Sequence, residues 1–436
     1  MRSRRHAHLL VAATSWVSRL ITGFISIFRI RLLVEGLGTE GYAAFALLNS
    51  LQGWFALSDF GLGAALQNSM SERRAQGRSY ADYIAFAVRW VVVCALVFGI
   101  GIVALSPWLG ALYLHASVLL ADERAPAFAL TGVTFVVATI GGVAYRIWYA
   151  QQRGYLSNAA PAVAAMFSLG CIAWVTAGEA GEANFMACLV AGVVPAAAVA
   201  LASFVFVSAR IIRSAPAGEP LTLGAEDRVR LKIRARDFFL LAVLNTAVLN
   251  TDYIVMSQFL GSQDIVTYNL TTRIFDTFRM LYGVVLLALW PTCTELIKNN
   301  DWPGVYRHLR VYIGVGIAFI VCFSLAMVPS MSLIVTVLAP GQDITVPTGF
   351  ILLCGAFEVV RTWTNTFGMV LFAMSKVRVF WFMLPIQAAL TVGAQALMAP
   401  TFGFYGITAG MLLGFVATGA WLLPLTVHRL SRASHR

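Results

Sequence analysis

The stretch Leu37-Gly-Thr-Glu-Gly-Tyr-Ala-Ala-Phe45 has a counterpart, Leu260-Gly-Ser-Gln-Asp-Ile-Val-Thr-Tyr268, at an offset of 223 residues. Each stretch separates the first two long apolar runs of its half of the chain. The same offset aligns the ends of a later pair of runs, Ala150 with Ala373 and Arg153 with Lys376. The match predicts an internal repeat. Because each half holds an even number of runs, we expect a parallel repeat, pseudo-two-fold about an axis along the membrane normal, with substrate between the halves.

The runs around these stretches are long enough to cross a membrane. Hydrophobic residues make up 59% of the 436 residues and charged residues only 12%, whereas a soluble domain carries roughly 25% charged residues. A spanning helix needs about 20 mostly apolar residues. The sequence therefore predicts an all-α polytopic membrane protein with about 12 transmembrane helices in two six-helix lobes. The runs are 9–33, 42–66, 83–107, 127–150, 157–178, 185–209, 238–260, 265–294, 309–330, 347–373, 379–399 and 404–427.

The loops between the runs differ in charge. With the N-terminus inside, the basic loops all face the cytoplasm, and the outer loops keep a single base, Arg124. The positive-inside rule then predicts that both termini are cytoplasmic. The outer loops carry acidic residues instead: Glu35, Glu40, Asp122, Glu123, Glu179, Glu182, Asp264 and Asp343.

The longest loop divides the chain into an N-terminal lobe, 1–209, a basic cytoplasmic linker, 210–237, and a C-terminal lobe, 238–436. Residues 225–237 alternate basic and apolar side chains. That pattern suits either a helix that lies on anionic lipid or a solvated linker, and both interpretations stay open.

Charged side chains interrupt several of the apolar runs. A charge at membrane depth costs several kcal/mol, so it normally faces a bundle interior or a wet cavity and marks a transport path. The basic set, which we expect to bind the pyrophosphate of a cargo, is Arg19, Arg273, Arg279 and Arg361. The acidic set, which we expect to serve ion coupling or ion pairs in the cavity, is Asp59, Asp252, Asp276 and Glu358.

Arg273, Asp276 and Arg279 recur every third residue, so they share one face of a helix about 120° wide. One aspartate between two arginines leaves a guanidinium for a ligand, and the planar guanidinium binds phosphate oxygens bidentately. The alternative is that these charges are buried ion pairs that hold helices together. Four further arginines lie closer to the run ends and are expected to reach the lipid head groups. These are Arg29, Arg31, Arg89 and Arg146.

Other classes of site lack support in the sequence. The six cysteines lie singly in apolar runs, and the histidines fall at termini or in loops without metal-ligand spacing. The chain has no phosphate-binding glycine loop and no nucleophile elbow. The net charge of +11 is spread over short loops rather than gathered in a basic domain. We therefore expect a transporter without a cofactor, a metal or a nucleic-acid partner.

Three stretches of the sequence resemble those of a known protein family. They are Gly36-Leu-Gly-Thr-Glu-Gly-Tyr42, Leu51-Gln-Gly-Trp-Phe-Ala-Leu-Ser-Asp-Phe-Gly-Leu-Gly-Ala-Ala-Leu-Gln-Asn68 and Ser71-Glu-Arg-Arg-Ala-Gln-Gly77. The chain resembles the polysaccharide transporter family, the O-antigen flippases of Wzx type, within the multidrug/oligosaccharidyl-lipid/polysaccharide exporter superfamily. The element Asp59-Phe-Gly-Leu-Gly63 is the most specific part.

The resemblance implies a flippase that moves an undecaprenyl-pyrophosphate-linked oligosaccharide, an O-antigen or exopolysaccharide repeat unit, across the bacterial inner membrane. It implies alternating access driven by an ion gradient. A complex with a polysaccharide polymerase is a further expectation.

Two other functions are compatible with the residues. A multidrug or cation antiporter of the same fold would prefer an acidic or aromatic cavity, and arginines outnumber carboxylates in these runs. A membrane glycan polymerase or glycosyltransferase would need water-exposed catalytic groups, usually on a large outer loop, and the outer loops here are short.

Overall fold

The computed structural model describes residues 2–178, 183–215, 221–374, 376 and 378–433, and within these ranges the regular structure is entirely helical. The chain divides into two compact units, 1–243 and 244–436. The first unit holds α1 Arg2–Ser50, α2 Gln52–Phe55, a 3₁₀ turn Ala56–Asp59, α3 Leu62–Ala75, α4 Ala81–Tyr113, α5 Ala121–Gly141, α6 Val143–Ala150, α7 Gly154–Val175 and α8 Phe185–Arg213. Helix α9, Ala225–Leu249, begins in the first unit and ends in the second. The second unit continues with α10 Asp252–Phe259, α11 Ser262–Lys298, α12 Trp302–Leu338, α13 Thr348–Ala373, α14 Arg378–Phe402, α15 Phe404–Ala417 and α16 Gly419–Ala433.

Among the described residues, 8 helical segments are long and apolar enough to cross a membrane. The other four predicted spans lie on α1, on the end of α1 through α3, on α11 and on α13. On α4, Val97, Ile100 and Trp108 are each more than 60% exposed. Large apolar side chains in such density indicate a surface that meets lipid rather than water. The predicted class, an all-α polytopic membrane protein, is confirmed.

Helix ends support the internal repeat. Gly77 and Asn300 both have positive φ, 68° and 55°, and each follows a helix that ends 223 residues from its counterpart, α3 and α11. A left-handed residue there lets a backbone N–H reach back to the last turn. The same closing bond recurs after α6 and α13. The four bonds run from Arg78 N to Arg73 O at 3.0 Å, Asp301 N to Leu296 O at 2.9 Å, Arg153 N to Trp148 O at 2.8 Å and Lys376 N to Leu371 O at 2.9 Å.

The two stretches that match in sequence also share a structural role. In the first, Gly38 takes φ 68° and ψ 179°, which kinks α1 between its two predicted spans. In the second, Gly261 is extended between α10 and α11. Each stretch therefore interrupts the helical path at the same point of its half.

The basic stretch before the second unit is a packed helix. On α9, Leu231 and Ala235 are buried in the core of the first unit with Leu66 of α3. Two ion pairs fix the same contact. Arg234 donates to both oxygens of Glu72, at 2.8 and 3.0 Å, and Arg73 pairs with Asp227 at 2.5 Å. Basic and apolar residues alternate along α9, and its apolar side chains Leu231 and Ala235 therefore pack on the side of α3.

Candidate functional site

In the second unit, α11 and α13 bring five charged side chains together, and we call them the arginine cluster: Arg273, Asp276, Arg279, Glu358 and Arg361. Arg279 pairs with Asp276 on its own helix and with Glu358 on α13, where the Nη1–Oε1 distance is 3.6 Å. The same Glu358 oxygen lies 3.7 Å from Arg361 Nη1. Arg273 Nη1 lies 3.9 Å from Asp276 Oδ2. The charges predicted on two separate runs thus form one network.

Burial divides this cluster into an inner and an outer part. The side chains of Glu358 and Arg361 are 6% and 13% exposed, while those of Arg273, Asp276 and Arg279 are 34–36% exposed. Three guanidiniums share two carboxylates, so the cluster keeps one positive charge in excess. Arg273 has the longest contact and an accessible side chain. The outer part of the cluster is therefore where an anion would find an incompletely neutralised arginine.

Asp252 lies apart from these direct ion pairs. It is the first residue of α10, is 8% exposed, and accepts a hydrogen bond of 2.8 Å from the Tyr268 hydroxyl of α11. Tyr268 is itself 3% exposed and stacks edge-on with Tyr253. A buried carboxylate with a hydroxyl donor is satisfied in part without a cation in direct contact.

The first unit contains a cavity of its own, with a volume of about 690 Å³, and we call it the first-unit cavity. It lies among α1, α5, α6, α7 and α8, and its charged lining residues are Arg29, Asp59 and Arg146. The guanidinium of Arg29 stands over the ring of Phe45, 5.9 Å from the centroid. Gln52, Tyr145 and Tyr149 add polar groups. Apolar side chains line most of the cavity, and its charged lining residues include one more guanidinium than carboxylate.

Asp59 has a structural task in this cavity wall. Its two oxygens accept hydrogen bonds from the backbone N–H groups of Gly61, at 2.8 Å, and Gly63, at 3.1 Å. It therefore caps the N-terminus of α3, where a carboxylate also meets the positive end of the helix dipole. Phe60 and Gly61 make the turn with φ of 52° and 74°.

Gly61 also lets two helices approach. A Cβ at this position would contact the carbonyl oxygen of Ala235 and would lie 2.7 Å from the nitrogen of Phe239, both on α9. The element Asp59-Phe-Gly-Leu-Gly63, which carries the most specific part of the resemblance, is therefore a turn, a helix cap and a close contact with α9.

The other arginines that the sequence analysis singled out are not members of the arginine cluster. Arg19 lies half-buried on α1, and the first-unit cavity is lined by Arg29 of the same helix instead. Arg29 and Arg146 were expected at the lipid head groups. The sequence shows how far each arginine lies from the end of its apolar run. It does not show which side of the helix the side chain occupies, so it could not predict that these arginines line a cavity. Arg31 pairs with Glu35 one turn away at 3.0 Å.

The chain is similar to known proteins in sequence and in fold. No protein-family model matches the chain. A protein of Yersinia pseudotuberculosis whose name describes O-antigen export is 34% identical over 421 residues, which covers 96% of this chain and 95% of that protein.

Solved structures resemble the fold at much lower identity. An inward-facing multidrug resistance MATE family transporter of the MOP superfamily aligns with a TM-score of 0.71 at 14% identity, over 96% of this chain and 98% of that one. The lipid II flippase MurJ, in an inward closed conformation, aligns with a TM-score of 0.68 at 13% identity, over 96% and 87%. The prediction of a transporter rather than an enzyme is confirmed by the similarity to the O-antigen export protein. The chain belongs to the family of O-antigen transporters.

Proposed function

We propose that this protein is a flippase for an undecaprenyl-pyrophosphate-linked oligosaccharide, an O-antigen or exopolysaccharide repeat unit, in the bacterial inner membrane. The observation that carries the proposal is the 34% identity to the O-antigen export protein over 96% of the chain. Both termini are cytoplasmic in this proposal, as the distribution of loop charge indicates.

The arginine cluster supplies the chemistry that such a cargo needs. A pyrophosphate in a bilayer loses hydration and must regain it as hydrogen bonds from the protein. Arg273 and Arg279 each keep 34% of the side chain exposed, and the guanidinium fork suits phosphate oxygens. Arg361 lies deeper and holds Glu358, so its role is to support Arg279 through the shared carboxylate. Arg19 is proposed as a further contact for the cargo.

The charge of these regions disfavours a cation antiporter. The fold itself does not discriminate, because the MATE transporter and the lipid II flippase both share it. The arginine cluster and the first-unit cavity each have one guanidinium more than carboxylates. An excess of positive charge repels cations and attracts anions.

Transport by alternating access needs a source of free energy, and we propose that an ion gradient supplies it. Asp252 is the best-placed carboxylate for the coupling, because it is buried and bonded to a hydroxyl rather than paired in contact with an arginine. Asp276 and Glu358 serve the ion pairs of the arginine cluster, and Asp59 serves the cap of α3. Asp252→Asn should therefore abolish transport that depends on the gradient while the protein stays in the membrane.

Two partners belong to the same proposal. The outward side of α9 exposes Val229 and Ile233, at 57% and 48%, beside Arg230 and Lys232. Apolar and basic side chains in alternation fit the surface of an anionic membrane. A polysaccharide polymerase is the proposed protein partner.

The direct test is complementation of a strain that lacks its own flippase. Arg273→Ala should abolish surface polysaccharide, and Arg273→Lys should restore only part of it, because lysine keeps the charge but not the fork. Arg310→Ala, which removes an exposed arginine of α12, is the matched control and should behave as wild type. Immunoblots of the membrane fraction must find each variant at the wild-type level. Normal polysaccharide display by Arg273→Ala would contradict the proposed site.

A further inference from the structure

The first unit contains a second pocket, which shares no lining residue with the first-unit cavity. It has a volume of about 450 Å³ and opens where α4 and α7 begin and where α6 and α8 end. Its basic lining residues are Arg74, Arg153 and Arg210, and we call it the three-arginine pocket. Among the residues that the structure describes, no carboxylate lines it. The pocket therefore presents a formal charge of +3 with no internal counter-ion among those residues.

The nearby carboxylates are engaged elsewhere. Asp82, one residue beyond the lining residue Ala81, lies 3.7 Å from Arg73 Nη2. Glu72 accepts two hydrogen bonds from Arg234. Since each acid has another partner, neither neutralises the pocket.

One of the three arginines is held in position by the protein. Arg74 donates to the carbonyl oxygen of Ala150 at 3.1 Å and to Gln152 at 3.4 Å. Arg153 and Arg210 have no ion-pair partner among the described residues. A pocket with one fixed and two unpaired guanidiniums is suited to an anion with several oxygen atoms.

The start of α7 adds backbone N–H donors to the three guanidiniums. Tyr80 is the N-cap of α4 and Arg153 is the N-cap of α7, and neither side chain accepts a bond from its own helix. In α4, the N–H groups of Ala81 and Tyr83 donate instead to Ser79 Oγ, at 3.4 Å, and to Asp82 Oδ1, at 2.9 Å. The start of α7 has no side-chain cap from Arg153, and helix N-termini attract anions. The Tyr80 hydroxyl, which accepts a bond from Gln151 at 3.3 Å, can still donate its proton to a ligand.

The surroundings favour a lipid over a soluble anion. The pocket lies at the ends of four candidate spans, 81–113, 121–150, 154–175 and 185–213, where head groups are found. Phe206 lines the pocket and is 61% exposed, and its neighbour Val205 is 58% exposed. These side chains provide an apolar surface for an acyl chain beside a pocket that can bind a phosphate.

We propose that the three-arginine pocket binds the phosphate of an anionic glycerophospholipid, as a resident lipid of the first unit and separate from the transported cargo. The guanidiniums of Arg153 and Arg210 hold the phosphate oxygens, Arg74 fixes the pocket wall, and Phe206 contacts the acyl chain. A volume of about 450 Å³ accommodates a phosphoglycerol head group.

The test is native mass spectrometry of the purified full-length protein titrated with phosphatidylglycerol or with phosphatidylcholine. The wild type should bind one phosphatidylglycerol about tenfold more tightly than phosphatidylcholine, and R153Q/R210Q should bind the two lipids within about twofold of each other. R429Q/R432Q, which removes two exposed arginines of α16, is the matched control and should keep the preference.

Three results would overturn the proposal. The first is the same preference in R153Q/R210Q as in the wild type. The second is loss of the preference in the α16 control, which would make it a response to total charge. The third is displacement of phosphatidylglycerol by about 10 mM inorganic phosphate, a concentration far above that of a tight site, which would assign the pocket to a free anion. Should R153Q/R210Q fail to purify, the single variant R210Q carries the same comparison, since Arg210 is exposed.

Discussion

The arginine cluster and the first-unit cavity reach the same excess of one positive charge by different means. In the cluster, three arginines share Asp276 and Glu358 directly across two helices. In the cavity, Asp59 is bonded to the backbone of α3, while Arg29 faces an aromatic ring. A carboxylate within a membrane span can therefore serve either another side chain or the backbone. Its position in the sequence does not reveal which of the two it serves.

The largest effect should come from Glu358. This side chain is 6% exposed and contacts both Arg279 and Arg361, so Glu358→Ala leaves two guanidiniums without their shared partner. Breaking a buried ion pair from one side costs about 3–5 kcal/mol. We expect a large fall in the apparent melting temperature of the purified protein. Glu295→Ala, which removes an exposed carboxylate of α11, is the control and should leave it unchanged. If Glu358→Ala melts at the wild-type temperature, the ion pairs of the arginine cluster do not stabilise the protein.

The next effect should come from Gly61, which forms the turn between Asp59 and α3 in the first unit. Alanine at φ 74° costs about 1–2 kcal/mol for the left-handed conformation alone, and its Cβ would also meet the backbone of α9. Gly61→Ala should therefore lower the yield of folded protein and its melting temperature. Gly99→Ala on α4 is the matched control, because a Cβ there meets nothing within 4 Å. Equal stability of the two variants would show that the contact between α3 and α9 is dispensable.

A smaller effect should separate the two roles of Asp59. Asp59→Ala removes both acceptors at the start of α3 and should cost about 1 kcal/mol. Asp59→Asn keeps one oxygen acceptor and should cost less, although it removes the same charge. Thermal unfolding of both variants checks the order. If asparagine destabilises the protein as much as alanine does, the charge of Asp59 matters more than its bonds to the backbone.

Some of this architecture is predictable from the sequence for physical reasons. Lipid requires long apolar helices, so the spans can be read from composition. Helix ends such as those at Gly77 and Asn300 follow from residues that tolerate positive φ. The pairing of Glu358 with Arg361 follows from their spacing on one helix.

The rest depends on how each helix is rotated, which the sequence leaves open. The contact between Arg279 and Glu358 joins two helices, so no spacing within one run could indicate it. The same holds for Arg146, whose place in a cavity wall depends on the packing of α6 within the first unit. The spacing of Asp59 from Gly61 and Gly63 fits a helix cap. Because Asp59 lies in an apolar run, however, the sequence favours ion coupling or an ion pair in the cavity.

We propose that the outer part of the arginine cluster binds a phosphorylated lipid. The most direct measurement is the affinity of the purified protein for undecaprenyl pyrophosphate, compared between the wild type, Arg273→Ala and Arg432→Ala. Loss of one charge-assisted contact should weaken binding by about tenfold or more in Arg273→Ala, and Arg432→Ala, which removes an exposed arginine of α16, should bind as the wild type does. Equal affinity of the wild type and Arg273→Ala would contradict the claim.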